Sequence, residues 1–226
     1  MGVSAITGRP RERNATSLFF TVDGLGDQRA RLLEAMARAV AHKGFAKTTV
    51  ADVVALAGVS RRTFYEHFSD KEDCFLAAYR TGSDALIRAL AGTVIASGLE
   101  DWHDRMRVGL ETYTRLLAAD PDFAHALLVD VLGAGPRAVQ LRREVFSSFV
   151  DLYRTAPGDL PEPFLRALVG GISELVQEHI LTEGAESLEE LAPTLIDLAF
   201  SVVEPKRRGF EFARRARLRT VRSALG

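Results

Sequence analysis

The sequence predicts an all-α chain, with an N-terminal three-helix unit followed by a larger helical domain. Three observations carry that prediction. Apolar residues recur at spacings of three and four along most of the chain, as on one face of a helix. No stretch alternates apolar and polar residues with the period of a strand. Gly, Pro, Asp and Ser interrupt the pattern where helices would end, as at Gly44, Gly58, Gly98, Asp120-Pro121 and Gly135-Pro136.

Composition bounds the classes. With 226 residues the chain can bury a substantial core, as one large or two modest domains. A hydrophobic share of 47% and a charged share of 26% fit a soluble globular protein. The net charge of −1 decides nothing about nucleic acid, so local clusters must. A single cysteine, Cys74, excludes an intrachain disulfide framework and a metal site built on several thiolates. No apolar run approaches the ~18 residues of a membrane helix, and Leu18-Phe19-Phe20 is too short for a cleavable signal. A cytoplasmic protein is expected.

Residues 1–26 lack a clear period and read as a flexible arm carrying Arg9, Arg11 and Arg13. Gly24-Leu25-Gly26 has no third glycine and no following lysine, so it is not a nucleotide loop. Asp27 can cap a first helix that runs to Lys43, with Leu32, Leu33, Met36, Ala39 and Val40 as its buried stripe. Thr48 or Thr49 can cap a second, whose Val50, Val53, Val54 and Ala57 share one face. Gly58 then turns the chain through positive φ, and Ser60 caps a third helix over Arg61 to about Phe68. Phe64 and Phe68 point inward on it, leaving Arg61, Arg62, Thr63, Tyr65 and His67 on the flanks and outer surface. A two-turn helix is weak alone, so its neighbours must hold it with that donor-rich side outward. Such a unit suits the DNA major groove: the arginines could pair with guanine or clamp phosphate, while Tyr65, His67 and Lys71 suit backbone phosphates.

Phe45, Thr48, Thr49, the Ala57-Gly58-Val59-Ser60 turn, the run Thr63-Phe64-Tyr65-Glu66-His67-Phe68 and Lys71-Glu72 together resemble the N-terminal DNA-binding domain of the TetR family of bacterial transcriptional regulators. The match runs from about Arg31 to Tyr79. It implies a helix-turn-helix domain over 27–70 and DNA contacts from Thr48, Thr49, Arg61, Arg62, Thr63, Tyr65, His67 and Lys71. Glu66 departs from the pattern, since an outward acid repels phosphate unless it accepts from a cytosine amine.

Ser69 with Glu72 reads as a capping box opening a long fourth helix toward Ser97, the link between the DNA-binding unit and the rest. Further helices follow over 101–119, 122–132 and, from Pro136, to about residue 155. The last two strong patterns begin at Leu165 and Leu188. Leu168, Ile172 and Leu175 on one, and Leu191, Leu195 and Leu198 on the other, form seams. The resemblance implies that this pair packs against its copy in a homodimer, and two subunits would read two half-sites of a palindrome. Residues 71–205 therefore make a helical effector-binding and dimerisation domain, and 206–226 a basic tail.

Catalytic and metal chemistry find no constellation. His103, His125 and His179 lie on three different helices without an HExxH or Glu-x-x-His pattern, and no serine sits in a G-x-S-x-G turn. Neither an enzyme nor a cofactor is expected. A ligand cavity follows from the resemblance and from the supply of aromatics. Trp102, Met106 and Tyr113 share a face, as do Phe146, Phe149 and Tyr153, with Arg105 or Glu174 to add polarity. The reading is a ligand-responsive repressor whose partners are double-stranded DNA, its own copy and a largely apolar small molecule. The alternative is a helical ligand- or partner-binding protein without DNA binding.

Overall fold

The computed structural model describes residues 19–20, 27–154 and 160–203; the arginines of the arm, the Pro157-Gly158 loop and the basic tail lie outside them. Among the described residues every regular element is helical. α1 (Asp27–Lys43), α2 (Val50–Ala57) and α3 (Arg61–His67) form the N-terminal unit, and α4 (Lys71–Ala96) leads out of it. α5 (Trp102–Ala119), α6 (Pro121–Leu128), α7 (Pro136–Leu152), α8 (Glu162–Thr182) and α9 (Ala192–Val203) complete the fold. Short 3-10 turns cover Asp130–Gly133 and Ala185–Leu191.

Local chemistry sets the ends of these helices. Thr49 caps α2 in a reciprocal box: its hydroxyl accepts from the Asp52 amide at 3.3 Å, and its own amide donates to Asp52 Oδ2 at 2.9 Å. Gly58 closes α2 in the left-handed region at φ 63°, and the next amide, Val59, returns to the Val54 carbonyl at 3.1 Å. Ser60 caps α3 by accepting from the Thr63 amide at 3.0 Å. The cap of α4 lies one residue later than the sequence suggested. Asp70 accepts from the Asp73 amide at 2.8 Å, while the amide and hydroxyl of Ser69 both donate to Asp73. A carboxylate accepts these bonds more strongly than a hydroxyl does. Asp27 is likewise the first residue of α1 and not the residue ahead of it.

One hydrophobic core runs through both regions, from Leu33 and Met36 on α1 through Phe75 and Leu86 on α4 to Leu117, Leu188 and Leu195. The N-terminal unit is thus docked and not strung on a linker. α1 packs along α6 as well as α2 and α4, and Arg38 and His42 both approach Asp122 at the start of α6. Phe19 and Phe20, expected in a loose arm, are buried in this junction. The Phe19 ring stacks on Phe123 at 4.0 Å and Phe20 meets the same ring edge-on at 5.8 Å. Burial against Phe123 takes both rings out of water, which favours this position. Gly82 on α4 makes room for the cluster: a Cβ there would lie 2.1 Å from Phe123.

The leucine seam expected from residue 188 onward is divided. Leu188 and Leu191 sit on the 3-10 turn, and α9 starts afresh at Ala192 with Pro193 in its first turn, where a missing N–H costs nothing.

Candidate nucleic-acid interface and effector cavity

The second helix of the helix-turn-helix, α3, is held from below and open above. Phe64 and Phe68 are fully buried and their rings meet at 5.7 Å. Arg31 of α1 donates to the Ala57 carbonyl at 3.1 Å, which fixes the end of α2 against α1. On the other side, Arg61, Arg62, Tyr65 and His67 are exposed, and Thr63 is half-buried with its hydroxyl 3.0 Å from that of Ser60. Arg62 has 90% of its side chain in solvent and pairs with Glu66 one turn on at 3.0 Å. Glu66 therefore orients that guanidinium along the outer face, at the small energy of an exposed i,i+4 pair.

The two threonines before α2 part company. Thr49 is exposed at the helix N-terminus, where unpaired amides favour an anion. Thr48 is 1% exposed and its hydroxyl donates to the carbonyls of Ala39 and Gly44, at 3.2 and 3.0 Å. It ties the α1–α2 turn together and cannot reach a phosphate, which corrects the expectation from the resemblance. Lys71 is also engaged inside the molecule. Its ammonium donates to the Phe45 carbonyl at 2.8 Å and lies 4.4 Å from the centre of the Phe45 ring. Lys43 holds the Asp52 carboxylate in a salt bridge, and that bond together with the Thr49 hydroxyl holds the Asp52 carboxyl down at about 2. Lys47, passed over in the sequence, is exposed in the loop ahead of α2; its position just before the Thr48-Thr49 pair was the available signal.

The larger domain encloses a cavity of about 300 Å³ between α4, α5, α7 and α8. Trp102, Met106 and Tyr113 of α5, and Phe146, Phe149 and Tyr153 from α7 and its end, all line it, as does Arg105. Tyr113 and Phe149 meet edge-on at 6.1 Å. Glu174, expected among its polar groups, is exposed on α8 and lies outside the lining; Ser173, one residue earlier, faces in. A one-residue error on a helix turns a side chain by about a quarter of a turn, enough to exchange pocket for solvent. Arg142 was the residue missed. It shares the stripe of Phe146 and Phe149 at helical spacing, so the pattern that found those aromatics contained it too. Burial pushes the phenols of Tyr79, Tyr113 and Tyr153 well above their ordinary range, so they stay protonated.

The seam residues also divide. Leu168, Ile172 and Leu195 are buried within the subunit and so cannot form a contact with a second copy. Leu175, Leu191 and Leu198 are half-buried, and Phe164 and Leu181 at the two ends of α8 are exposed. The strongest apolar periodicity marked the inward face because the subunit's own core needs it most. Among the described residues no helix is long and apolar enough to cross a membrane, and no group of three or more His, Cys, Asp or Glu converges.

A capped helix-turn-helix with polar side chains outward, joined by a continuous helix to a domain holding an apolar cavity, defines the class of helix-turn-helix transcriptional regulators. Comparison with known proteins agrees for the N-terminal unit. Residues 32–78, from α1 into α4, match the model of bacterial regulatory proteins of the tetR family. The chain is 27% identical over 183 residues to the HTH-type transcriptional repressor AcnR of Corynebacterium diphtheriae, covering 75% of this chain and 96% of the relative. In fold it resembles the fatty acid degradation regulator FadR of Bacillus halodurans, with a TM-score of 0.70 at 16% identity over 80% of this chain and 97% of the other. The transcriptional regulator FadR of Bacillus subtilis, solved in complex with stearoyl-CoA, superimposes with a TM-score of 0.66 at 16% identity, covering 76% and 96%.

Proposed function

We propose that this regulator is a ligand-responsive repressor that binds a palindromic operator as a homodimer in the cytoplasm, at the nucleoid, and is released by a small, largely apolar effector. The observation that carries this reading is the double role of α4. It follows the recognition helix α3 after three residues, and its Tyr79, Leu90, Ala91, Val94 and Ile95 form one wall of the cavity. A ligand that fits one position of α4 better than another shifts the recognition helix with it, by no more than its difference in affinity for the two states.

Arg61, Arg62, Thr63, Tyr65, His67 and Thr49 are the assigned DNA contacts, and Lys47 joins them as a phosphate contact from the loop. Lys71 acts chiefly by holding that loop, through the Phe45 and Ala46 carbonyls. Two copies of α3 must lie about 34–36 Å apart, or a related spacing, to enter successive major grooves together. The outward side of α8 and α9, with Leu175, Leu191, Leu198, Phe164 and Leu181, is the surface for the second subunit. The stearoyl-CoA held by the Bacillus subtilis neighbour supports a long apolar molecule as the kind of occupant this fold admits.

Footprinting of the purified protein on the intergenic DNA beside its own gene tests the reading. A protected palindrome, lost on adding a cavity ligand, is the expected result. Binding that is insensitive to sequence, or a monomer on the operator, overturns it.

A further inference from the structure

The cavity has an unbalanced polar inventory. Its wall is mostly aromatic and aliphatic, yet two guanidinium groups, Arg105 and Arg142, line it, and neither has a carboxylate partner among the described residues. Arginines close by do pair: Arg137 on α7 holds Glu72, and Arg154 just beyond α7 holds Asp151. Asp151 is the one carboxylate of the lining among the described residues, and its Oδ1 accepts from Arg154 Nε at 2.6 Å. Arg142 has only a long bond to the Ser173 hydroxyl, at 3.4 Å, and the face of Phe146 at 5.1 Å. The Tyr79 and Tyr113 hydroxyls, which feel the Arg142 charge, have no hydrogen-bond partner among the described residues.

A guanidinium set against an apolar wall without an acid forgoes its best partner. Phenols held protonated beside it can donate as well. A cationic ligand would meet two like charges and no unengaged acid; a neutral one would leave both guanidiniums as they are. Resting on the effector-cavity reading above, we propose that the effector is an amphiphilic organic anion. Its apolar body fills the aromatic cavity, and its acidic group is taken by Arg142, with Arg105 and the Tyr113 and Tyr79 hydroxyls as further donors.

Displacement of Nile red, a neutral probe, from the full-length protein tests this with four decyl compounds: decanoate, decyl phosphate, decan-1-ol and decyltrimethylammonium. At least one of the two anions is expected to displace the probe at a tenfold lower concentration than decan-1-ol, and which of them does so distinguishes carboxylate from phosphate as the preferred charge. In the double variant Arg105→Gln/Arg142→Gln that advantage is expected to vanish while decan-1-ol displacement stays within about twofold. Retained Nile red binding shows that the variant's cavity is intact. Equal displacement by all four compounds, a preference for the ammonium, or an anion advantage that survives the double variant overturns the charge assignment alone. A folded wild-type protein that takes up no Nile red and none of the four overturns the cavity reading itself, and this proposal with it.

Discussion

Arg137, one residue into α7, lies 3.5 Å from Glu72, one residue into α4, so the starts of two helices that share the cavity are bridged, at the end of α4 that follows α3. A second bridge lies further along: Arg80 of α4 donates to Glu144 of α7 at 2.6 Å. Between and just beyond them α7 turns Arg142, Val145 and Phe146 into the cavity. α7 thus touches the ligand space with one face and α4 with another.

Breaking these bridges should separate coupling from stability. Exposed pairs of this kind contribute about 0–1 kcal/mol each. Arg137→Ala with Glu144→Ala is expected to lower the melting temperature by only a few degrees while reducing the effector-driven change in operator affinity several-fold. Operator titrations with and without effector measure it. The exchange Arg80→Glu with Glu144→Arg, which reverses the second bridge and leaves the first intact, should keep the response; an unchanged response in the first variant refutes the role of α7.

On the DNA side, Arg62→Ala should weaken specific binding by about 1–3 kcal/mol and reduce discrimination against random sequence. Its side chain is almost wholly in solvent, so thermal stability should hardly move. Equal losses on operator and random DNA would show that Arg62 reads phosphate and not bases.

Lys71→Ala should behave differently. Its ammonium bonds and the Phe45 ring contact hold the α1–α2 loop, so the variant is expected to lose about 1–2 kcal/mol of stability, near the range for hydrogen bonds to charged groups. Operator affinity should fall through displacement of Thr49. Chemical denaturation beside gel shifts checks both; a drop in affinity at full stability would restore Lys71 as a direct phosphate contact.

Around His125 the prediction concerns pH. Its Nδ1 lies 2.8 Å from Asp130 Oδ2, and that bond raises the histidine above its ordinary range despite partial burial. A histidine raised in the folded state adds stability that is complete below its unfolded value of ~6.5 and disappears as pH rises through the folded value. The melting-temperature gap between wild type and His125→Asn should therefore be widest below about pH 6.5 and narrow on the alkaline side. A gap constant across that window would show that the pair is not titrating.

Gly82→Ala should cost about 1–3 kcal/mol, the usual range for overpacking, because its new methyl would meet ring atoms of Phe123 and not a flexible chain end. Paired with Phe123→Leu, which vacates that space, the substitution should cost less than the two single losses added together. Additive losses would contradict the contact.

The N-terminal unit was the most legible part of the sequence because its signals are local. Ser60, Gly58 and the Phe64/Phe68 pair act on neighbours within one or two turns, and each stands where its chemistry required. Thr48 and Thr49 show the limit: both are capping residues by type, and only packing against Ala39 decides that one is inside. The aromatic lining was found by helical spacing, whereas Glu174 was misplaced because periodicity gives a face only to within a residue. Leu168, Ile172 and Leu195 could not be assigned to core or partner by pattern, since both environments select the same side chains. The burial of Phe19 and Phe20 was invisible for another reason: two residues have no period to read.

That buried pair has a practical corollary. The matched sequence pattern starts at residue 32, so a recombinant chain begun there and kept whole beyond it would lack both phenylalanines along with the first turn of α1. The Phe123 ring they shield would be bared to water, and such a shortened protein would be prone to clump during purification even though every proposed DNA contact had been kept.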